Sequence, residues 1–494
     1  MTYIATSREW TFPLLEQFDQ VIGGFAAQHG LDTYPNQIEV INSEQMLDAY
    51  ASNGLPVMYP HWSYGKDFIQ NQRQYQKGQM NLAYEIVINS SPTISYLMEE
   101  NSLPMQALVI AHACYGHNAF FKGNYLFRQF TDARGIIDYL VFARQYIMDC
   151  ENKYGFSEVE QVLDACHALQ HYGIDRYPRE PKKLHLESNA EAIKRRAEHN
   201  ALNYSDLAST LPSKQGERNV GSSNGRYPAD PQENILYFIE KNSPILPPWK
   251  REIVRIVRML AQYFYPQIHT KVMNEGFATF WHYHLLYDLY NADHINDGFM
   301  MEVLESHTNV VYQSKYDRFS GFNPYALGFA MFKDIRRMAE NPTAEDRQWF
   351  PDVAGKNWHE ALDFAMRNFK DESFISQYLS PKLIREFKLF SIHDEPDAKE
   401  YTINATHREE DYKLIRRLLS EQYQRDNMFP SIEVYHYKRD SDRSLILRHR
   451  KFKNRTLDLD STNAVLKNLK RLWNFPVVVE SVNERDEVVA TYSS

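Results

Sequence analysis

The chain has 494 residues and a mass of 58.2 kDa, with 43% hydrophobic and 14% aromatic side chains. That content supports a large buried core shared among about two to four domains, and with only 19 Gly and 22 Pro it excludes wholesale disorder and fibrous or low-complexity architecture. The formal net charge of −9 is uneven: residues 401–494 carry 17 basic and 14 acidic groups, so the acidic body before them repels a nucleic-acid backbone.

In chain order, residues 105–122 read as a helix apolar on nearly every side, the mark of a helix at the centre of a protein. It carries His112 and His117, with Asn118 beside them. Their i, i+5 spacing sets them about 140° apart on an ideal α-helix, poor for shared chelation unless Gly116 breaks or bulges the helix. Buried imidazoles need partners for both nitrogens, so the two are either braced core histidines or part of a site.

Residues 157–172 place Val159, Val162, Leu163, Cys166 and Leu169 on one face, with Ser157 as N-cap and Glu160 at the capping-box position. Asp164, His167 and His171 fall at i, i+3, i+7 on another stripe. That stripe is either a metal-ligand array or cavity lining, or a solvent face whose histidines suit a helix C-terminus. Residues 186–234 hold few large apolar side chains and gather Ser, Gly, Asn and Pro. They read as a polar, partly disordered excursion interrupting the body.

Residues 250–265 form an amphipathic helix with Ile253, Ile256, Val257, Leu260 and Phe264 inward, after Pro247-Pro248 and before Pro266 as its stop. Residues 271–290 form a second all-round apolar helix. There Glu275 and His282, seven apart, differ by about 20° around the axis, with Thr279 between them. A carboxylate among Val272, Met273, Phe277, Phe280 and Trp281 is costly unless paired or bound to a cation. It is either an Arg or Tyr brace or the centre of a site.

After residue 395 the period changes. KEYTINAT, SIEVYHYK, SLILRHRKF and FPVVVESVN read as strands, and DYKLIRRLLSEQYQ and STNAVLKNLKRLW as helices. The expected fold is therefore a mainly α body over 1–395 and a small α+β domain over 396–494, of order β-α-β-β-α-β and ferredoxin-like. The basic run His436–Arg455 reads as wet strand faces.

No apolar run approaches the roughly 20 residues that span a bilayer. The start MTYIATSREWTF has no basic and apolar leader pattern. The sparse cysteines Cys114, Cys150 and Cys166 suit a reducing compartment. A cytoplasmic location is expected. There is no GxGxxG, GxxxxGK[ST] or CxxC, and His359-Glu360 does not continue as HExxH.

The runs GLPVMYPHWSYGK, GHNAFFKGN, ACHALQHYGIDRY, EKNSPILPPWKREIVRIVR, TKVMNEGFATFWHY, SHTNVVYQ, NPYALGFAMFKDIRR and SLILRHR resemble the SpoVR family (stage V sporulation protein R). The resemblance implies a cytoplasmic bacterial protein linked to spore cortex formation in spore-formers and to stress or starvation elsewhere. It also implies the company of a PrkA-type serine protein kinase and a von Willebrand A-domain protein. It carries no settled activity.

Two functions are expected from this. In one, His112, His117, Glu275 and His282 converge on a pocket, where they either bind one divalent metal (Zn, Mn or Fe) or act as a metal-free acid/base set, with Glu275 and His117 catalytic, in hydrolysis of a cell-wall-related amide. In the other the chain is a non-catalytic scaffold or regulator for the kinase, with Ser205, Ser222 or Ser223 of the excursion as phosphosites.

Overall fold

The computed structural model describes residues 3–4, 8–52, 54–55, 57–63, 66, 69, 73, 85–176, 226–228, 230–313, 322–393, 402–405, 408–424, 428–451 and 456–494. Most of the excursion expected at 186–234 lies outside the described residues, as do Ser205, Ser222 and Ser223. The chain is mostly helical, with a small sheet domain at its C-terminal end. Among the described residues no helix is long and apolar enough to cross a membrane.

Helix α1 (Phe12–Gln28) starts at the Thr11 cap and buries Leu15, Phe18, Ile22 and Ala26 along one stripe. Strand β1 (Asn36–Ile41), helix α2 (Ser43–Ala51), and strands β2 (Glu85–Ile88) and β3 (Thr93–Met98) follow. The strands form a three-stranded sheet in the order β1-β3-β2, with β1 parallel and β2 antiparallel to β3. The body was expected to be helical, and this sheet is a difference. Strands of four to six residues are too short for period alone to distinguish from loops.

The expected helix at 105–122 spans 103–123 in three parts: α3 (Leu103–Val109), a π-helical segment (Ile110–His117) and α4 (Asn118–Gly123). Every residue of it except Lys122 is buried. Helices α5 (Tyr125–Phe130), α6 (Ile136–Tyr154) and α7 (Phe156–Ala168) come next, then a 3-10 turn at Gln170–Tyr172, α8 (Ile235–Asn242) and α9 (Pro248–His269). Helix α9 continues past Pro266 rather than stopping there. Proline removes one backbone donor, and the last turn is tied by the Thr270 hydroxyl donating to the Pro266 carbonyl (2.8 Å).

Helix α10 (Lys271–Asn291) matches the second apolar helix closely. Its first-turn amides of Val272 and Met273 donate to the buried Asp371 carboxylate, at 2.9 Å each. A carboxylate there satisfies orphan donors and opposes the positive end of the helix dipole. Helices α11 (Asp297–Val310), α12 (Pro324–Glu340), α13 (Ala344–Trp349), α14 (Trp358–Asn368), α15 (Asp371–Tyr378) and α16 (Pro381–Glu386) complete the series.

Close helix packing at the centre depends on missing side chains. A Cβ on Gly116 would lie 2.6 Å from Ala278 Cα, and one on Gly276 would lie 2.3 Å from the Gly328 carbonyl carbon. The glycines therefore let the π-helical segment and α12 both press directly on the backbone of α10.

The last elements are β4 (Ser391–His393), β5 (Thr402–Ala405), α17 (Glu409–Gln422), β6 (Ser431–Tyr437), β7 (Leu445–Arg450), α18 (Leu459–Trp473), β8 (Val477–Val482) and β9 (Val488–Ser493). Each strand and helix expected after residue 395 is present. The pairing differs from the expected ferredoxin-like order. Strand β5 pairs with β4 in a separate two-stranded sheet, while the four-stranded sheet runs β6-β7-β8-β9. It consists of two antiparallel hairpins joined by a parallel β7–β8 pair through α18. Element order alone does not fix which strands pair.

By contacts the chain divides into two compact units. One comprises Met1–Asp164 and Met259–Phe429, the other Ala165–Arg258 and Pro430–Ser494. In the second unit, α18 buries Leu466, Leu469, Leu472 and Trp473, and β7 and β8 bury alternate residues. Phe238 of α8 stacks on Trp473 with ring centroids 6.0 Å apart.

Candidate metal centre

The π-helical segment brings His112 and His117 together. A π-helix closes its hydrogen bonds from i to i+5, so residues five apart stack on one side instead of diverging as they do on an α-helix. The two rings lie with centroids 4.6 Å apart. The expansion the spacing required is thus present, spread over eight residues around Gly116.

Two elements bring donors to these rings. Glu85, the first residue of β2, places Oε1 3.6 Å from His112 Nε2. Glu275 of α10 places Oε2 3.8 Å from His112 Nε2 and 3.5 Å from His117 Nε2. Donor atoms of Glu85, His112 and His117 all lie within 4.8 Å of one another. Both imidazoles are buried, while the Glu85 and Glu275 side chains keep 16% and 18% exposure.

The far ring nitrogens are occupied. His117 Nδ1 is 2.9 Å from the Asn274 side-chain oxygen, an acceptor, so Nδ1 carries the proton and Nε2 presents its lone pair when the ring is neutral. His112 Nδ1 is 2.9 Å from His282 Nδ1, and His282 Nε2 is 2.9 Å from His307 Nδ1. Tyr325, at the start of α12, is nearly parallel to the His112 ring, and burial with the Glu275 and Glu85 charges raises the pKa of its hydroxyl.

The electrostatics separate the two carboxyls. Burial raises the pKa of Glu85; the histidines only partly offset this, and the Glu275 charge adds to it. Burial also works against the Glu275 charge, but the imidazoles of His112 and His117 beside it hold its carboxyl well below the usual range. Burial opposes a proton on His117, yet the Glu275 carboxylate beside it, with the Asn274 hydrogen bond and the Glu85 charge, pushes its pKa up. The surroundings thus push the two carboxyls in opposite directions, Glu275 toward its anion and Glu85 toward its protonated form.

Of the residues read as candidates in the sequence, His112, His117 and Glu275 meet at one point. His282 reaches the same cluster from behind, on the opposite nitrogen of His112. Asp164, His167 and His171 do not share that point. The Asp164 carboxylate accepts from Trp62 Nε1 (2.7 Å) and lies 3.2 Å from His61 Nε2. His167 and His171 belong to the second unit, where each has its own contacts and burial lowers the His171 pKa.

Sequence reading missed Glu85, Asn274, His307 and Tyr325. Glu85 gives no local signal, since it opens a four-residue strand. Asn274 directly precedes Glu275 and could have been found by asking what holds His117. His307 and Tyr325 lie inside the SHTNVVYQ and NPYALGF runs, whose polar residues had no assigned partner.

The comparisons with known proteins agree along the chain. The family described as SpoVR like protein matches residues 9–428, and that described as SpoVR-like C-terminal domain matches residues 430–484. The chain is 54% identical over 485 residues to uncharacterized protein YcgB of Escherichia coli (strain K12), covering 98% of this chain and 94% of that one. No solved structure matches it. With family matches across nearly its full length and a relative this similar, the chain belongs to the SpoVR family.

Proposed function

We propose that the chain is a metal-dependent enzyme in which Glu85, His112, His117 and Glu275 hold one divalent cation, Zn²⁺, Mn²⁺ or Fe²⁺. The observation that carries this reading is that donor atoms of Glu85, His112 and His117 lie within 4.8 Å of one another, with Glu275 Oε2 at 3.8 and 3.5 Å from the two rings. Ligands about 2.0–2.2 Å from a tetrahedral ion stand roughly 3.3–3.6 Å from one another. The observed separations of 3.5, 3.6 and 3.8 Å are long for hydrogen bonds but suit such a ligand shell. Glu275 Oε2 is buried and makes no hydrogen bond of ordinary geometry, a costly state that a cation relieves.

A cation held there supplies Lewis acidity, polarising a carbonyl oxygen and acidifying water. The chain's own groups do the rest. Asn274 fixes the His117 lone pair toward the centre, Glu275 stays ionised, and Glu85 gives up its proton to bind the cation. The family resemblance directs this chemistry to hydrolysis of an amide in cell-wall-related material, in the cytoplasm, during cortex formation or a stress or starvation response.

The test is a titration of the metal-stripped full chain with Zn²⁺, Mn²⁺ and anaerobic Fe²⁺. One equivalent should bind and raise the melting temperature, because a ligand at 100 times its Kd adds about 2.7 kcal/mol to the folded state. Glu275→Gln should abolish both effects while leaving the metal-free melting temperature almost unchanged. Absence of binding and of any thermal shift with all three ions would refute the reading.

A second reading has its own support. Without a cation the same groups can close on each other, with charged His117 against Glu275, as a purely structural brace. The chain would then be a scaffold or regulator, with the PrkA-type serine protein kinase and von Willebrand A-domain protein implied by resemblance as partners. A large fall in metal-free stability in Glu275→Gln favours this second reading.

A further inference from the structure

Behind His112 stands a file of imidazoles that the metal reading does not by itself explain. His112, His282 and His307 are 3%, 1% and 6% exposed, and their two contacts are both 2.9 Å. Burial and the neighbouring imidazoles push His282 well below the ordinary imidazole value. Burial, Lys333 and His112 lower His307 to about 4. Burial of both rings favours their neutral forms.

A neutral imidazole has one N–H and one lone pair. His282 makes two ring-to-ring contacts, so it donates in one and accepts in the other. Only two arrangements satisfy the file. In the outward arrangement His112 Nδ1–H donates to His282, and His282 Nε2–H donates to His307 Nδ1. His112 Nε2 then offers a lone pair to the centre, and His307 carries its proton on Nε2. In the inward arrangement His307 Nδ1–H donates to His282 Nε2, and His282 Nδ1–H donates to His112. His112 Nε2–H then points at Glu85 and Glu275, its neighbours at 3.6 and 3.8 Å.

Resting on the metal reading above, we propose that His282 and His307 are positioning residues that set the tautomer of His112, and that a cation at His112 Nε2 switches the proton positions on all three rings out to His307. The proton count balances. His112 loses its Nε2 proton to solvent and receives the Nδ1 proton of His282. His282 receives at Nε2 the Nδ1 proton of His307, and His307 takes one proton from water at Nε2. No ring changes charge, and one proton is taken up for each released. Burial makes the switch all-or-none, because any mixed arrangement leaves an unpaired N–H or two facing N–H groups inside the protein.

The test uses full-length protein labelled with ¹⁵N in its histidines and compared at pH 7 metal-stripped and with one equivalent of Zn²⁺, a diamagnetic ion. Nitrogen shifts distinguish a protonated ring nitrogen from a lone pair, and the His307 signals are those absent from His307→Phe. His307 should be protonated at Nδ1 without Zn²⁺ and at Nε2 with it, although it does not touch the ion. His307→Phe should bind Zn²⁺ about 10–100-fold more weakly. His307→Gln, whose amide can either give or accept a hydrogen, should recover most of that loss. If Zn²⁺ moves the His112 and His117 signals while the His307 tautomer stays the same, or if His307→Phe keeps full affinity, the inference is overturned and the metal reading stands. If the unaltered chain binds no Zn²⁺, the metal reading itself fails and the inference with it.

Discussion

Asp346, bound to an Arg337 that Asp334 also holds, shows the logic that operates at Glu275 in its cluster. The Arg337 guanidinium donates to both Asp346 oxygens, at 2.7 and 2.8 Å, and the Thr343 amide and hydroxyl donate to Oδ2. Burial opposes the charge, but these donors hold the carboxyl well below its usual range. A depressed folded pKa contributes stability that is present above the unfolded value, near ~3.9, and is lost as pH falls through the folded value. Asp346→Asn should therefore cost about 3 kcal/mol at pH 7. The gap to the parent chain should narrow below pH ~4 in urea melts across pH; a gap that stays constant down to acid would show that the ion pair contributes nothing.

At this scale the chemistry was partly legible. A carboxylate among large apolar residues is expensive wherever it sits, so Glu275 identified itself. Glu85 did not, because nothing in a short strand tells which fold partner it will meet.

Helix geometry decides whether the residues can meet at all. An α-helix would have pointed His112 and His117 apart, and the π-helical segment turns them together. Spacing could name that requirement but not satisfy it, since the expansion is settled by packing against α10 at Gly116. Gly116→Ala should push α10 away from the π-helical segment and lower Zn²⁺ affinity at least about tenfold, by analogy with loss of a supporting contact. Isothermal titration would show this, and unchanged affinity would mean the close approach is irrelevant to the centre.

Gly328 is the stricter case. Its Cβ would fall 2.1 Å from the Val272 carbonyl oxygen, a backbone atom that cannot swing aside. Gly328→Ala should cost about 1–3 kcal/mol or more by overpacking, read as a lower denaturant midpoint. The central apolar helices were legible to within a few residues because an all-round apolar pattern has few other uses. The three-stranded sheet was not, because its strands are too brief to show a period.

On the scale of the molecule, all four donors and the histidine file lie in one compact unit, assembled from both sides of the chain segment 165–258. The second unit joins α8 to the C-terminal sheet. A chain ending at Phe429 should therefore retain Zn²⁺ affinity within about threefold, since no ligand is removed. It should also bind an apolar dye more strongly, because Ile235, Leu236, Phe238 and Ile239 of α8 lose the buried surroundings that include Trp473. Loss of metal binding in that chain would show that the units depend on each other at the centre. The change of period after residue 395 made the C-terminal elements legible. It could not show that β5 pairs with β4, or that α8, nearly 200 residues upstream of β6, belongs with the last sheet.

The account rests on four side chains sharing one ion, and X-ray absorption at the Zn edge of the stoichiometrically loaded full chain reads that shell directly. The predicted spectrum has two imidazole ligands and oxygen donors at about 2.0–2.2 Å, and it loses one imidazole in His117→Ala. A spectrum of ion surrounded only by water, or one unchanged in that variant, would contradict the account.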